Sequence, residues 1–357
     1  MATPSFVRPT VREMAGYAPG EQPGAGERVV KLNTNENPFP PSPKVMQAIQ
    51  QIEPEQLRRY PSATADAFRE AAAQVLGVTP DMIMAGNGSD DVLAVAVLTF
   101  LSPGDTLAYP SPTYSLYPVM AELDEVKVAE VPWERDWALP VDALVATRAR
   151  AIFLANPNAP SGTFVSPQRI DALCKAFAGV VLVDEAYVDF ADDDCLPLLK
   201  DHQNIVITRT LSKAYSLAGL RFGYAVARPE VVREMNKARD SYPCDAISVA
   251  AATAAIADQE YARKTWEHVK SERQRLSSEL TQLGWKVLPS EANFILATVP
   301  DGRGKEVYLG LKRQGILVRY FDKPGLDDKI RITVGTSQEN NALIGGVKAL
   351  TAAERAA

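Results

Sequence analysis

Histidine is almost absent. Of 357 residues only His202 and His268 carry an imidazole, and neither has a second ligand-like residue beside it in sequence. A histidine base or a histidine-held metal is thereby set aside, and no metal is expected. The chemistry has to run on lysine, tyrosine, aspartate or arginine, or on a bound cofactor. Cysteine is scarce too. Cys174, Cys195 and Cys244 are odd in number and far apart, which gives neither a zinc spacing nor a disulfide set and fits a reducing cytoplasm. No apolar run approaches the ~20 residues of a membrane span; the most apolar segment, Val92 to Leu101, is too short. Met1 to Gly20 holds no apolar core flanked by basic residues, so no secretory signal is expected. An excess of positive charge is also missing. Lys and Arg number 38 against 44 Asp and Glu, a net charge of -6. Neither nucleic acid nor a membrane surface is the expected partner.

What is present is the composition of a globular protein, 46% hydrophobic and 23% charged, long enough for one very large domain or two. The first forty residues are rich in Pro and Gly, lack periodicity and read as an extended arm. Phe68, Ala71, Ala72, Val75 and Leu76 put one apolar face on a helix over residues 64–76, which Gly77 stops. Short apolar runs then alternate with helical stretches: Thr106–Tyr109, Val126–Val131, Ala151–Ala155, Val180–Asp184, Asn204–Arg209 and Phe222–Ala227. Val180, Val181, Leu182 and Val183 are apolar in succession, so that strand must be covered on both sides. This predicts an α/β domain with a mostly parallel sheet between helices. After residue 228 the pattern changes. A charged helix from Gln259 to Leu283 carries Trp266, Val269, Leu276, Leu280 and Leu283 on one side and ends at Gly284. Strands at Asn293–Thr298, Ile316–Arg319 and Ile330–Val334 follow, and they read as a smaller α+β domain. The expected division is an arm over 1–40 that joins the small domain, a large domain over 41–255 and the small domain over 256–357.

Ligands of α/β sheets bind where strands end, and the polar residues at those ends form a coherent set. Asp184 and Glu185 end Val180–Val183, with Tyr187 close behind. Asn156 ends Ala151–Ala155, in a segment that otherwise reads as a proline-rich turn. Gly86-Asn87-Gly88-Ser89-Asp90 opens a helix, where free N–H groups can hold a phosphate or Ser89 can simply cap. Thr210-Leu211-Ser212-Lys213 ends Asn204–Arg209, and Arg221 follows. A lysine amine, a carboxylate, hydroxyl donors and a phosphate cradle are what pyridoxal phosphate requires.

These residues carry a resemblance. The chain resembles the fold-type I pyridoxal-phosphate-dependent aminotransferases, and among them the histidinol-phosphate aminotransferase family, from about Val11 to Glu339. The matching segments are Leu32-Asn33-Thr34-Asn35-Glu36-Asn37-Pro38, Arg59-Tyr60-Pro61, Gly86 to Asp90, Pro112-Thr113-Tyr114, Asn156-Pro157-Asn158, Asp184-Glu185-Ala186-Tyr187, Arg209 to Lys213, Leu217 to Arg221 and Arg331 to Gly335. The resemblance implies a seven-stranded, mostly parallel sheet sandwiched by helices, with a smaller α+β domain. It implies that Lys213 binds the cofactor covalently and moves the substrate proton, and that Asp184 pairs with the ring nitrogen. Tyr187 and Asn156 would bond the ring oxygen, and Tyr114 would stack on the ring. Gly88, Ser89 and Asp90 would hold the phosphate with Thr210, Ser212 and Arg221. Tyr60 would reach the phosphate of a neighbouring subunit, which makes a homodimer with shared sites. Arg331 would take the substrate anion, with Arg319 as a second arginine and Tyr17 as a contact from the partner subunit.

The family's usual NPNNPTG is here Asn156-Pro157-Asn158-Ala159-Pro160-Ser161-Gly162, Asp91 stands where glutamate is usual, and Phe39-Pro40 replaces an aromatic and a glycine. The implied activity is a ping-pong transfer of the amino group of histidinol phosphate to 2-oxoglutarate, in the cytoplasm. An aromatic amino-acid aminotransferase shares every cofactor motif, and a phosphothreonine decarboxylase the same cradle. An effector-sensing domain of a transcription regulator would need a DNA-binding module before Asn33, where about thirty residues stand.

Overall fold

The computed structural model describes residues 6–24 and 26–356, with side chains up to residue 352 in the last helix. A seven-stranded sheet organises the larger part. In spatial order its strands are Ile83–Gly86, Gly223–Val226, Ile205–Thr210, Val180–Asp184, Ala151–Ala155, Thr106–Ser111 and Lys127–Pro132. Six run one way, and Gly223–Val226 opposes both of its neighbours. The unbroken apolar runs have the expected cause. Ile152, Leu154, Val181, Val183, Ile205 and Ile207 face one core, while Phe153, Leu182 and Val206 face the other. Successive strand residues point to opposite faces, so a sheet covered twice needs both sets apolar.

Three local expectations change. The helix over Asp66–Leu76 buries Phe68, Ala72 and Ala73, whereas Val75 is exposed. The helix packs on the alanine-rich helix Ala246–Ala257, and small residues at the contact let the two backbones approach. Ile83–Gly86 is a buried edge strand that no pattern marked. It is four residues long, between a proline turn and a glycine turn, and shows no measurable period. The strand expected over Ile316–Arg319 is two: Ile316–Leu317 pairs with Val30–Lys31 of the arm, while Arg319–Tyr320 joins a different sheet.

That second sheet is antiparallel, in the order Arg319–Tyr320, Lys329–Thr333, Phe294–Thr298, Lys286–Val287. The 24-residue helix Gln259–Gln282 ties the two bodies together. Its Ala262 and Val269 enter the core under the large sheet, and its Leu276 and Leu280 enter the core under the small one. The three thiols are buried and unbridged. His202 is buried with its Nε2 2.7 Å from Asp171, and His268 lies edge-on to Phe39. Among the described residues no helix is long and apolar enough to cross a membrane.

Candidate active site

The carboxyl ends of the central strands and the small sheet face each other across one site. Asp184, the last residue of Val180–Asp184, forms its floor. Its Oδ2 accepts from the Tyr117 hydroxyl at 3.0 Å and its Oδ1 from Thr208 Oγ1 at 3.2 Å. Burial pushes this carboxyl up to about 6, against the opposing pull of those two donors. Neither donor was singled out from sequence. Thr208 stands opposite Asp184 in the register of the neighbouring strand, which becomes visible only once the strand order is known.

Lys213 follows the next strand by three residues. Its Nζ donates to Thr34 O at 3.1 Å and lies 5.8 Å from the centre of the Tyr187 ring. Burial first, and then the Arg331 charge, pull the amine down to about 8, while Glu36 and Asp90 oppose them. The Tyr187 hydroxyl accepts from Asn35 Nδ2 at 3.0 Å, and its ring is edge-on to Phe294.

The helix Ser89–Phe100 starts at the rim directly after Gly88, which has φ 89. Arg221 Nη2 donates to Asp90 Oδ2 at 3.0 Å, and the Tyr114 hydroxyl donates to Asp90 Oδ1 at 3.0 Å. Thr210 Oγ1 and Ser212 Oγ are 3.0 Å apart. Gly223 is a further requirement: a Cβ there would lie 2.3 Å from Ser89 N. Only glycine lets that strand end meet the helix start, and the free N–H groups and Arg221 together make an anion cradle. The small sheet supplies the opposite wall. Arg319 and Arg331 are cross-strand neighbours, and both guanidiniums lie against the Phe321 ring, at 5.5 and 5.6 Å. Arg331 Nη2 donates to Asn33 O at 2.9 Å, whereas its buried Nε has no partner.

Thus the structure brings together Lys213, Asp184, Tyr187, Tyr114, the cradle and the two arginines. Two further residues have partners within their own chain. Asn156 was expected to bond a ring oxygen. Its Oδ1 accepts from Val165 N at 2.7 Å and its Nδ2 donates to Val165 O at 3.0 Å. It is buried, and these two bonds hold its loop. Tyr17 was expected from a partner subunit. It lies edge-on to Tyr114 of its own chain, 6.2 Å between centres, and the arm beyond it is tied locally, Asn33 Nδ2 donating to Glu21 O at 2.8 Å. Tyr60 is 82% exposed and stacks on Tyr242, with ring centres 4.4 Å apart.

The chain belongs to the class I and II aminotransferase family, whose shared pattern matches residues 27–347. Within it the chain is similar to the histidinol-phosphate aminotransferase 1 of Trichormus variabilis, with 44% identity over 97% of this chain and 99% of the relative. It is 45% identical to the histidinol-phosphate aminotransferase of Geotalea uraniireducens, over 93% of this chain and 96% of that one. The crystal structure of the histidinol-phosphate aminotransferase from Sinorhizobium meliloti in complex with pyridoxal-5'-phosphate superposes with a TM-score of 0.89 at 27% identity, covering 98% of this chain and 99% of that one.

Proposed function

We propose that this protein is a pyridoxal-phosphate-dependent aminotransferase that passes the amino group of histidinol phosphate to 2-oxoglutarate, a ping-pong exchange of histidine biosynthesis, in the cytoplasm. The observation that carries the reading is the pair of guanidiniums of Arg319 and Arg331, held in cross-strand register beside the site of a half-buried lysine. Two fixed cations suit a substrate phosphate, and a planar fork binds a carboxylate equally well in the second half of the exchange. The relatives named for this activity support the same substrate.

The residues fit the cofactor. Lys213 is a half-buried amine held near 8 whose hydrogen-bond partner is a backbone carbonyl. A Cβ at Gly88 would lie 2.7 Å from Arg221 Nη2 and one at Gly223 2.3 Å from Ser89 N, so glycine at both positions lets Arg221 and the helix start come together at the cradle. Bound there, pyridoxal phosphate would supply an electron-withdrawing ring that stabilises negative charge at the substrate Cα. Lys213 Nζ would hold it covalently. Partly deprotonated near neutral pH, the same amine is able to take up a proton and return it. Asp184 would face the ring nitrogen, where a neighbouring cation favours its ionised form. Tyr187 would face the ring oxygen, and Tyr114 would lie against the ring. Ser89, Thr210, Ser212 and Arg221 would hold the phosphate. Asp90, itself an anion, would contribute its main-chain N–H and keep Arg221 in place. Tyr17 would close over the substrate from the same chain.

The reading includes a homodimer. Tyr60 is exposed and stacked on the Tyr242 ring, which supports that reading. Shared sites follow if the phosphate of a second copy is the acceptor for its hydroxyl.

The test is the visible spectrum of the cofactor-loaded protein. Histidinol phosphate without any keto acid is expected to bleach the yellow band, and 2-oxoglutarate to restore it. A band that answers only to phenylalanine or tyrosine moves the substrate to the aromatic amino acids. Release of carbon dioxide from phosphothreonine makes the protein a decarboxylase. Absence of the band in the wild type and Lys213→Ala alike overturns the cofactor.

A further inference from the structure

The phenol of Tyr187 is held from behind. Asn35 Nδ2 donates to its hydroxyl at 3.0 Å, which fills an acceptor position of the phenol and leaves its single proton to be given elsewhere. The Asn35 amide is itself fixed. Asn35 N donates to Thr333 Oγ1 at 3.0 Å, and the Thr333 hydroxyl donates in return to Asn35 Oδ1 at 3.1 Å. Asn293 Nδ2 donates to Asn35 O at 3.0 Å. With Oδ1 committed to Thr333, Asn35 presents its N–H side to the phenol. The backbone there has φ 58, a left-handed conformation that asparagine tolerates better than most residues.

The surroundings of the phenol offer little else. Asn156 is closed on Val165. Ala159, Ala292 and Phe294 pack beside Tyr187 with apolar surface.

We propose that Asn35 is a positioning residue that sets the direction and donor strength of the Tyr187 hydroxyl, so that a segment of the arm, tied to the small sheet, tunes the cofactor through one phenol. The inference rests on the reading that Tyr187 faces the ring oxygen. Asn35 is 1% exposed and acts through Tyr187, not on the cofactor. A hydroxyl that accepts a hydrogen bond becomes a stronger donor. A stronger donor draws charge off the ring oxygen, and a less negative oxygen holds a proton less firmly on the neighbouring nitrogen of the lysine linkage. Loss of the Asn35 amide therefore raises the pH at which the visible band of the loaded protein changes. Loss of the Tyr187 hydroxyl raises it further.

The experiment titrates that band against pH, without substrate, in cofactor-loaded wild type, Asn35→Ala, Tyr187→Phe and the double variant. The expected midpoints rise by about half a unit in Asn35→Ala and by about one unit in Tyr187→Phe, which corresponds to one neutral hydrogen bond. The double variant is expected to match Tyr187→Phe, because Asn35 has no other route. A wild-type midpoint in Asn35→Ala beside a shifted Tyr187→Phe overturns the proposal. A shift that adds in full to that of Tyr187→Phe overturns it as well. No shift in Tyr187→Phe overturns instead the placement of Tyr187. Should Asn35→Ala fail to fold, Thr333→Val keeps Asn35 and frees its amide to turn. It is expected to shift the midpoint upward by less, and an unmoved midpoint there counts against the proposal.

Discussion

At the ends of the large sheet's strands, the polar side chains facing the site already have partners; on the small-sheet side several do not. Asp184 is held by Tyr117 and Thr208, Tyr187 by Asn35, and Asp90 by Tyr114 and Arg221. Across from them, Arg331 Nε, Asn33 Oδ1 and Asn293 Oδ1 are buried without a partner. Leaving a buried polar atom unpaired costs about 1–3 kcal/mol. Of the three side chains, Arg331 is the half-buried one and so the one open to a ligand. A saturated floor gains little but is already oriented for a group that stays. Under the proposed function, the difference is that between residues suited to a resident cofactor and an arginine suited to a substrate that comes and goes.

The comparison can be broken at either wall. On the floor, Lys213→Ala is expected to lower turnover by about four orders of magnitude or more, since no other amine is placed to carry the proton. Single-turnover spectra of the loaded variant check this, and turnover within tenfold of wild type would remove Lys213 from the chemistry. On the opposite wall, Arg331→Ala is expected to lower kcat/KM by roughly 10²–10³. The loss falls on both substrates, while the midpoint for cofactor binding stays as in wild type. A loss of cofactor affinity instead would mean that the wall is part of the floor.

The part of the site that was legible in sequence is the part whose chemistry fixes residue type. Lys213, Asp184 and Arg221 stand next to strand ends, and the proposed chemistry asks for an amine, a carboxylate and a guanidinium there, so type and place together pointed to them. The supporting shell was not legible. Thr208 matters because its strand lies beside Asp184 in one particular register. Asn35 matters because of a contact with a residue 152 positions away. The bonds of Asn156 to Val165, nine residues on, were not legible either, because they depend on how the loop between them turns. The sheet's composition was readable from its unbroken apolar runs. The edge strand Ile83–Gly86 was not, since a four-residue run has no period to read.

The cost of the saturated floor shows without cofactor. The folded Lys213 amine sits near 8 rather than 10.5, so the folded protein binds fewer protons than the unfolded chain between those values. Stability therefore rises with pH through that window, and the full penalty is carried below it. Cofactor-free Lys213→Met is expected to be more stable than cofactor-free wild type at pH 7, by on the order of 2 kcal/mol. Thermal unfolding at pH 7 and pH 10 checks the sign, since the gap should narrow at the higher pH. A gap that stays constant would assign the gain to packing instead of charge.

The finest test of the floor is Tyr117→Phe. Tyr117 has 0% accessible surface, so it touches no ligand, and its ring is seated edge-on to Phe153, which phenylalanine preserves. The substitution removes one thing, the 3.0 Å donor to Asp184. Burial already pushes that carboxyl up to about 6, and one donor fewer pushes it higher, so less of it is ionised at neutral pH. A hydrogen bond to a partly ionised carboxylate contributes on the order of 1–2 kcal/mol, which predicts a fall in kcat of about five- to thirtyfold at pH 7. The acid limb of the kcat–pH profile should move to higher pH, and KM for 2-oxoglutarate should stay unchanged. Thr208→Val removes the longer, 3.2 Å bond and is expected to do the same to a smaller degree. If Tyr117→Phe alters KM but leaves kcat and the acid limb in place, Asp184 does not depend on its donors, and the floor is no more preorganised than the wall it faces.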